Sequence, residues 1–256
     1  MPTLDEHFES PKALIRRAYE QIGEYERELA DFGKIEPFIR IVDVDSEPGV
    51  EIHKIRITRD LPRKLSVIFG DISKNLRSAL DHAVYGCAVA LGVPHPKGTA
   101  FPIADHPNGV VGSLKAMKDL PAEIHPLLIS FRPHEGGNRL IWGLNEVRNS
   151  NTHRLLVPFA KVGMANIMQA SGILMNEGAI GYSEWNPSKN ELEFMRCGIG
   201  STISYTLTVS IGNTFDNVKT FQGSFAKETI LEAAAEVNRI VLEIEKETAA
   251  ILAARP

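Results

Sequence analysis

The chain lacks most of the features that would mark a specialised class. It has only two cysteines, Cys87 and Cys197, in 256 residues, so no disulfide scaffold holds it together. Glycine (20) and proline (15) are at ordinary levels, which excludes a collagen-like or linker-like chain. Positive charge is not in excess. The formal net charge of −4 excludes a globally basic nucleic-acid coat and leaves room only for a local basic pocket. No run of 18 apolar residues exists, so no membrane-spanning helix is expected. Met1 to Ser10 is polar and acidic, unlike a signal peptide, and a reducing cytoplasm is the expected location. Catalytic signatures are missing too. There is no Gly-x-Ser-x-Gly elbow, and "GCAVALG" and "GGNRLIWG" lack the spacing of a dinucleotide or P-loop site.

What is present is strong periodicity. Ser10 as N-cap and Pro11 at the first helical position predict a helix over 11–33, with Leu14, Ile15, Ala18, Tyr19, Ile22, Tyr25 and Leu29 inward. Residues 62–91 carry one apolar stripe from Leu65 to Leu91, opened by Pro62 and closed by Gly92. Shorter helices are predicted at 112–118, 121–130 and from Asn138 to about Arg148, and a long one at 227–252. Between the first two helices, Phe38–Val44 and Val50–Thr58 read as a hairpin around Glu47-Pro48-Gly49. After His153 the runs 155–161, 165–175, 179–185, 191–196 and 204–211 are strand-like, with a last strand at 217–225. Connections this short imply an antiparallel meander. The expected fold is therefore α+β, a helical bundle with an N-terminal β-hairpin and an inserted antiparallel sheet. It is read as one domain, 1–256, with helical parts 1–36, 61–153 and 226–256 and β-rich parts 37–60 and 154–225.

Two polar constellations interrupt these patterns. In the helix over 62–91, Asn75, Arg77, Asp81 and His82 flank or face away from the stripe centred on Leu76. They read either as a solvated helix back, with Arg77 and Asp81 paired at i, i+4, or as an organised site. The second constellation is Asn145, Glu146, Arg148, Asn149, Asn151, His153 and Arg154. Either the helix ends near Val147 and these side chains cap the following loop, or they form an inward polar site that must be paired. A metal site drawn from Asp71, Asp81, His82, Glu146 and His153 has no supporting HxH, HExxH or CxxC spacing. No metal and no cofactor are expected, and both cysteines read as packing.

"GDISKNLRSALDH" (70–82) resembles the Gly-Asp-x-x-x-Asn-Leu-Arg-Ser-Ala-Leu-Asp-His signature of a set of uncharacterised bacterial proteins. "LNEVRNSNTHRLL" (144–156) resembles their second signature, Asn-x-Asp-Lys-His-Arg before a strand. Asn149, His153 and Arg154 match it, while Asn151 and Thr152 replace the Asp and Lys. A more distant similarity is to HEPN domains, helical and often dimeric, many of them metal-independent ribonucleases. Their motif is Arg, four to six residues, then His, with Asn, Asp or His favoured after the Arg. Arg77 with His82, and Arg148-Asn149 with His153, follow it.

The resemblance implies a homodimer and a catalytic set of Arg77, His82, Arg148 and His153. Asn75, Asp81, Asn145, Asn149 and Arg154 would be binding residues. A histidine with a pKa of about 6.5 would take the proton from a ribose 2′-hydroxyl, and arginine would hold the phosphate. The partner would be RNA. The alternatives are a non-catalytic nucleotide- or anion-binding protein, and a structural protein whose Asn, Arg and His residues form a buried polar network.

Overall fold

The structure is a computed structural model. It describes residues 3–44, 49–153, 159–174, 178–199, 202–214 and 218–255, and of these the side chains outside 149–183 and most of 202–213. The fold is α+β. Its contacts divide it into two compact units, one of residues 1–25, 66–157 and 216–256, the other of 26–65 and 158–215. Among the described residues no helix is long and apolar enough to cross a membrane.

The first unit is helical. α1 (Leu4–Lys34) starts earlier than its sequence predicts. Its N-terminus is a capping box, not Ser10. The Thr3 N–H donates to the Glu6 carboxylate at 2.6 Å, and the Glu6 N–H donates to Thr3 Oγ1 at 3.4 Å. Pro11 thus lies inside the helix, where it has no N–H to offer the His7 carbonyl four residues back. α2 (Lys64–Ala90) packs against that carbonyl through Gly86, where a Cβ would lie 2.4 Å from His7 O.

Ile72, Leu76, Leu80 and Cys87 have no exposed surface, so the apolar stripe of α2 is the core of this unit. α2 ends in a Schellman motif, with Gly92 at φ +102° and the bonds Gly92 N–H to Val89 O and Val93 N–H to Ala88 O. α3 (Pro107–Ala116) begins five residues before the expected 112–118, because His106 Nδ1 accepts the Gly109 N–H as a side-chain cap. A short 3-10 turn (Ala122–Ile124) and α4 (His125–Ser130) follow. α5 (Arg139–His153) is capped by Asn138, whose Oδ1 accepts the Ile141 N–H. α6 (Ala226–Ala254) buries Ile230, Val237, Ile240, Val241 and Ile244. It meets α1 through Lys12 and Glu245 at 2.8 Å, and the start of α5 through Asn138 and Glu236 at 2.6 Å. The expected last strand at 217–225 is instead a 3-10 turn, Lys219–Phe221, with Phe221 buried; residue 217 lies outside the described residues.

The second unit holds the last part of α1, from Glu26, and β1 (Phe38–Val44), β2 (Val50–Ile57), β3 (Phe159–Leu174), β4 (Gly178–Asn186), β5 (Glu191–Gly198) and β6 (Thr202–Thr214). The hairpin of β1 and β2 forms as expected, with Gly49 at φ +101°; Asp45 to Pro48 of its turn lie outside the described residues. The inserted strands are not a meander. One sheet has the order β1-β2-β5-β4, and a second, two-stranded sheet pairs β3 with β6. β5 is buried on both faces, which suits a central strand, and it takes β2 as its second neighbour. The two runs expected at 155–161 and 165–175 are one strand over their described residues. Gly163 sits in a register shift between Val162 and Met164, which interrupts the ladder without ending the strand. Ile55, Ile57, Leu192, Phe194 and Met195 form this unit's core, with Val209 and Ile211 of β6 against it.

Candidate functional site

The first signature lies mid-way along α2 and serves three separate contacts. Asn75 Nδ2 donates to Gln21 Oε1 of α1 at 2.7 Å. Arg77 is not on a solvated helix back: it is 6% exposed. Its guanidinium donates to Asp81 one turn on and, at 3.0 Å, to the Phe101 carbonyl. The same Asp81 Oδ1 accepts the Phe101 N–H at 2.9 Å. The arginine and the aspartate thereby close a ring with both backbone groups of Phe101, pinning the loop after α2 onto the helix. Phe101 itself is 1% exposed and stacks on Phe131 at 6.2 Å, so the loop is fixed from both sides.

Burial pulls the Arg77 pKa below its ordinary value. The Asp81 carboxylate opposes that shift, and the positive charge of Arg148 adds to it. A charge on α5 is therefore felt on α2, which brings one arginine of each signature into the same electrostatic neighbourhood. Arg77 Nε is buried with no hydrogen-bond partner among the described residues.

His82 lies elsewhere on the helix surface. One residue is 100° of helix turn from Asp81, so His82 faces α1, where Ser10 Oγ is 2.7 Å from its Nδ1. There the two helices and the loop at 94–99 leave an open cavity of about 630 Å³. Its polar lining is Glu6, His7 and Ser10 from α1, Asp81 and His82 from α2, and His95 and Thr99 from the loop. Tyr85, Val89 and Pro94 supply an apolar wall. Among the described residues, the lining holds three histidines and two carboxylates but neither lysine nor arginine. Asp81 belongs to both places: one oxygen holds Arg77 and Phe101, and the residue borders the cavity.

The second signature is only partly in view. α5 continues past Val147 to His153, so the helix does not end where weak helix formers suggested. Arg148 is exposed and Asn145 half-buried. Asn149 and His153 lie in α5, but their side chains, and Arg154 altogether, lie outside the described residues. Of the residues singled out from sequence, the structure brings Asp81 and His82 to the cavity, with Arg77 bonded to Asp81 but not part of the lining.

Sequence reasoning missed Glu6, His7, Ser10 and His95. The Ser10-Pro11 pair was legible, but as a cap, because a proline in the interior of a helix is a rare placement. No family model matches the chain, and no match is found among curated proteins or solved structures.

Proposed function

We propose that the helical unit is a binding protein for a small ligand of nucleotide size, held in the cavity beside His82. The observation that carries this reading is the cavity itself, about 630 Å³, with the imidazole of His82 fixed at its wall by Ser10. That volume is in the range of small-molecule sites, roughly 300–1,000 Å³. Ser10 engages Nδ1, which leaves Nε2 for a ligand. Tyr85 and Pro94 offer surface for an aromatic base, and the imidazoles are the groups suited to a phosphate. Arg77 acts here as a positioning residue, since both its terminal nitrogens are spent on Asp81 and Phe101.

With no lysine or arginine in the described lining, a phosphate would be held by hydrogen bonds from the histidines and Ser10. Adenosine monophosphate should bind, as followed by calorimetry, and its binding should weaken with His82→Ala. Absence of binding, or affinity unchanged in that variant, would sink the reading.

The metal-independent ribonuclease reading is supported by one feature. When Nδ1 carries the proton and donates to Ser10 Oγ, Nε2 keeps its lone pair, the form a general base requires. In this reading the phosphate contact falls to Arg148, which is exposed but is not among the residues lining the cavity. Cleavage of single-stranded RNA in EDTA, leaving 2′,3′-cyclic phosphate ends and lost in His82→Ala, is the result this second reading requires. DNA should survive, because it lacks the 2′-hydroxyl.

A further inference from the structure

The β unit contains a second group of chemistry-bearing side chains, unrelated to the cavity of the helical unit. Glu51 and His53 are two residues apart on β2, so strand geometry puts them on one face. β5 runs antiparallel beside β2, with Cys197 directly opposite Glu51 and Met195 opposite His53. Opposed residues share a face, so Cys197 joins the other two. On the far side of β5 the register partner of Cys197 is Gly178, which has no side chain to occupy the space.

The three side chains converge. One ligand atom from each of Glu51, His53 and Cys197 lies within 4.8 Å of the other two, and Cys197 Sγ is 3.3 Å from His53 Nε2. A tetrahedral zinc ion with bonds of about 2.3 Å to sulfur and about 2.05 Å to nitrogen separates those atoms by about 3.6 Å. We propose that Glu51, His53 and Cys197 form a three-ligand site for a zinc-like divalent cation, bridging β2 and β5.

The donor set suits that class of ion. Thiolate and imidazole select borderline-soft metals over calcium or magnesium, and the carboxylate with the thiolate supplies two negative charges to match a dication. Three protein ligands leave one position for water or an exogenous ligand. A Cys-His nucleophilic pair fits less well. In such a pair the carboxylate orients the histidine from the nitrogen remote from sulfur, whereas the Glu51 ligand atom is near both sulfur and nitrogen. Cys197 is also only 1% exposed, which suits a ligand better than a nucleophile that must reach a substrate.

The test uses the full chain, purified without metal, and titrates it with Co²⁺. One equivalent should give a thiolate-to-cobalt charge-transfer absorption in the near ultraviolet, displaced by Zn²⁺. The chain has one other cysteine, Cys87, whose thiol burial pushes up to about 11, so Cys87→Ser should leave the band intact. Cys197→Ser should abolish it. Because that variant replaces a buried side chain, Glu51→Gln and His53→Gln provide independent tests. Both keep the sulfur, and each should weaken binding by more than the roughly 10–100-fold that losing an outer partner costs. A wild-type titration without the band, or a band that survives Cys197→Ser, overturns the proposal. So does rapid alkylation of Cys197 that metal does not slow, which would mark a nucleophile.

Discussion

The two units treat a buried charge in opposite ways. In the helical unit Arg77 is buried and faces a single described carboxylate, Asp81, with the Phe101 carbonyl as its other acceptor. In the β unit the buried charge is Glu191, 3% exposed, and two cations share it. Arg56 Nε donates to it at 2.7 Å, and Lys54 stands 4.0 Å away while also holding Asp43 at 2.7 Å. A helix offers a buried side chain few neighbours of its own, at i±3 and i±4. A strand in a sheet meets a neighbour whose residues two apart share one face, so Arg56, the ladder partner of Glu191, and Lys54 both reach it from β2. The helical charge therefore hangs on one pair, and the sheet charge is held redundantly.

Single substitutions should expose this difference. Arg77→Ala removes the buried member of the pair and leaves the Phe101 carbonyl without its donor, while Asp81, 27% exposed, keeps the Phe101 N–H. It should destabilise the protein by about 2–4 kcal/mol in urea unfolding, below the full cost of stranding a buried charge. Gly86→Ala is next. Its new Cβ meets backbone, His7 O, which cannot rotate away, and overpacking of this kind typically costs about 1–3 kcal/mol. Arg56→Ala should cost about 1 kcal/mol or less, since the guanidinium is 45% exposed and Lys54 remains beside Glu191. Adding Lys54→Met to Arg56→Ala should destabilise by more than the sum of the two changes, because Glu191 is then buried without a cation. Additivity in that double variant, or a small effect in Arg77→Ala, would break the contrast.

How far these sites could be read from sequence follows the same division. The α+β class, the long helices and the first hairpin were legible, because Leu65 to Leu91 repeats at the helical period and Gly49 and Gly92 mark their turns. The pair Arg77–Asp81 was legible as an i, i+4 spacing. Its burial was not, because the loop that covers it arrives from Phe101, a residue no helical pattern points to. The pairing of β2 with β5 was hidden for the same reason. It joins Glu51 to Cys197 across 146 positions, and alternation within a strand says which face a residue occupies but not which strand lies alongside. Glu51-Ile52-His53 did carry a local signal, two ligand types at a spacing of two. Cys197 alone read as packing.

The smallest expected effect concerns pH and belongs to the β unit alone. Burial lowers the His53 pKa from 6.5, and the nearby Glu51 charge opposes that shift without cancelling it. Between the folded value and 6.5 the unfolded chain binds more protons at this ring than the folded one, so stability rises with pH across that window. At and above about pH 7 the ring is neutral in both states and its contribution is constant. On acidification below 6.5 the folded state loses ground, until the folded ring also protonates and the loss levels off. His53→Gln should remove this slope. Urea midpoints of the two proteins, measured in EDTA from pH 7.5 to 5, should show differing pH dependence only below about 6.5, with the wild type falling more steeply. A wild type that instead gains stability relative to His53→Gln on acidification would mean that His53 is held as a cation. That result would set it beside Arg77 as a second buried charge depending on a single carboxylate.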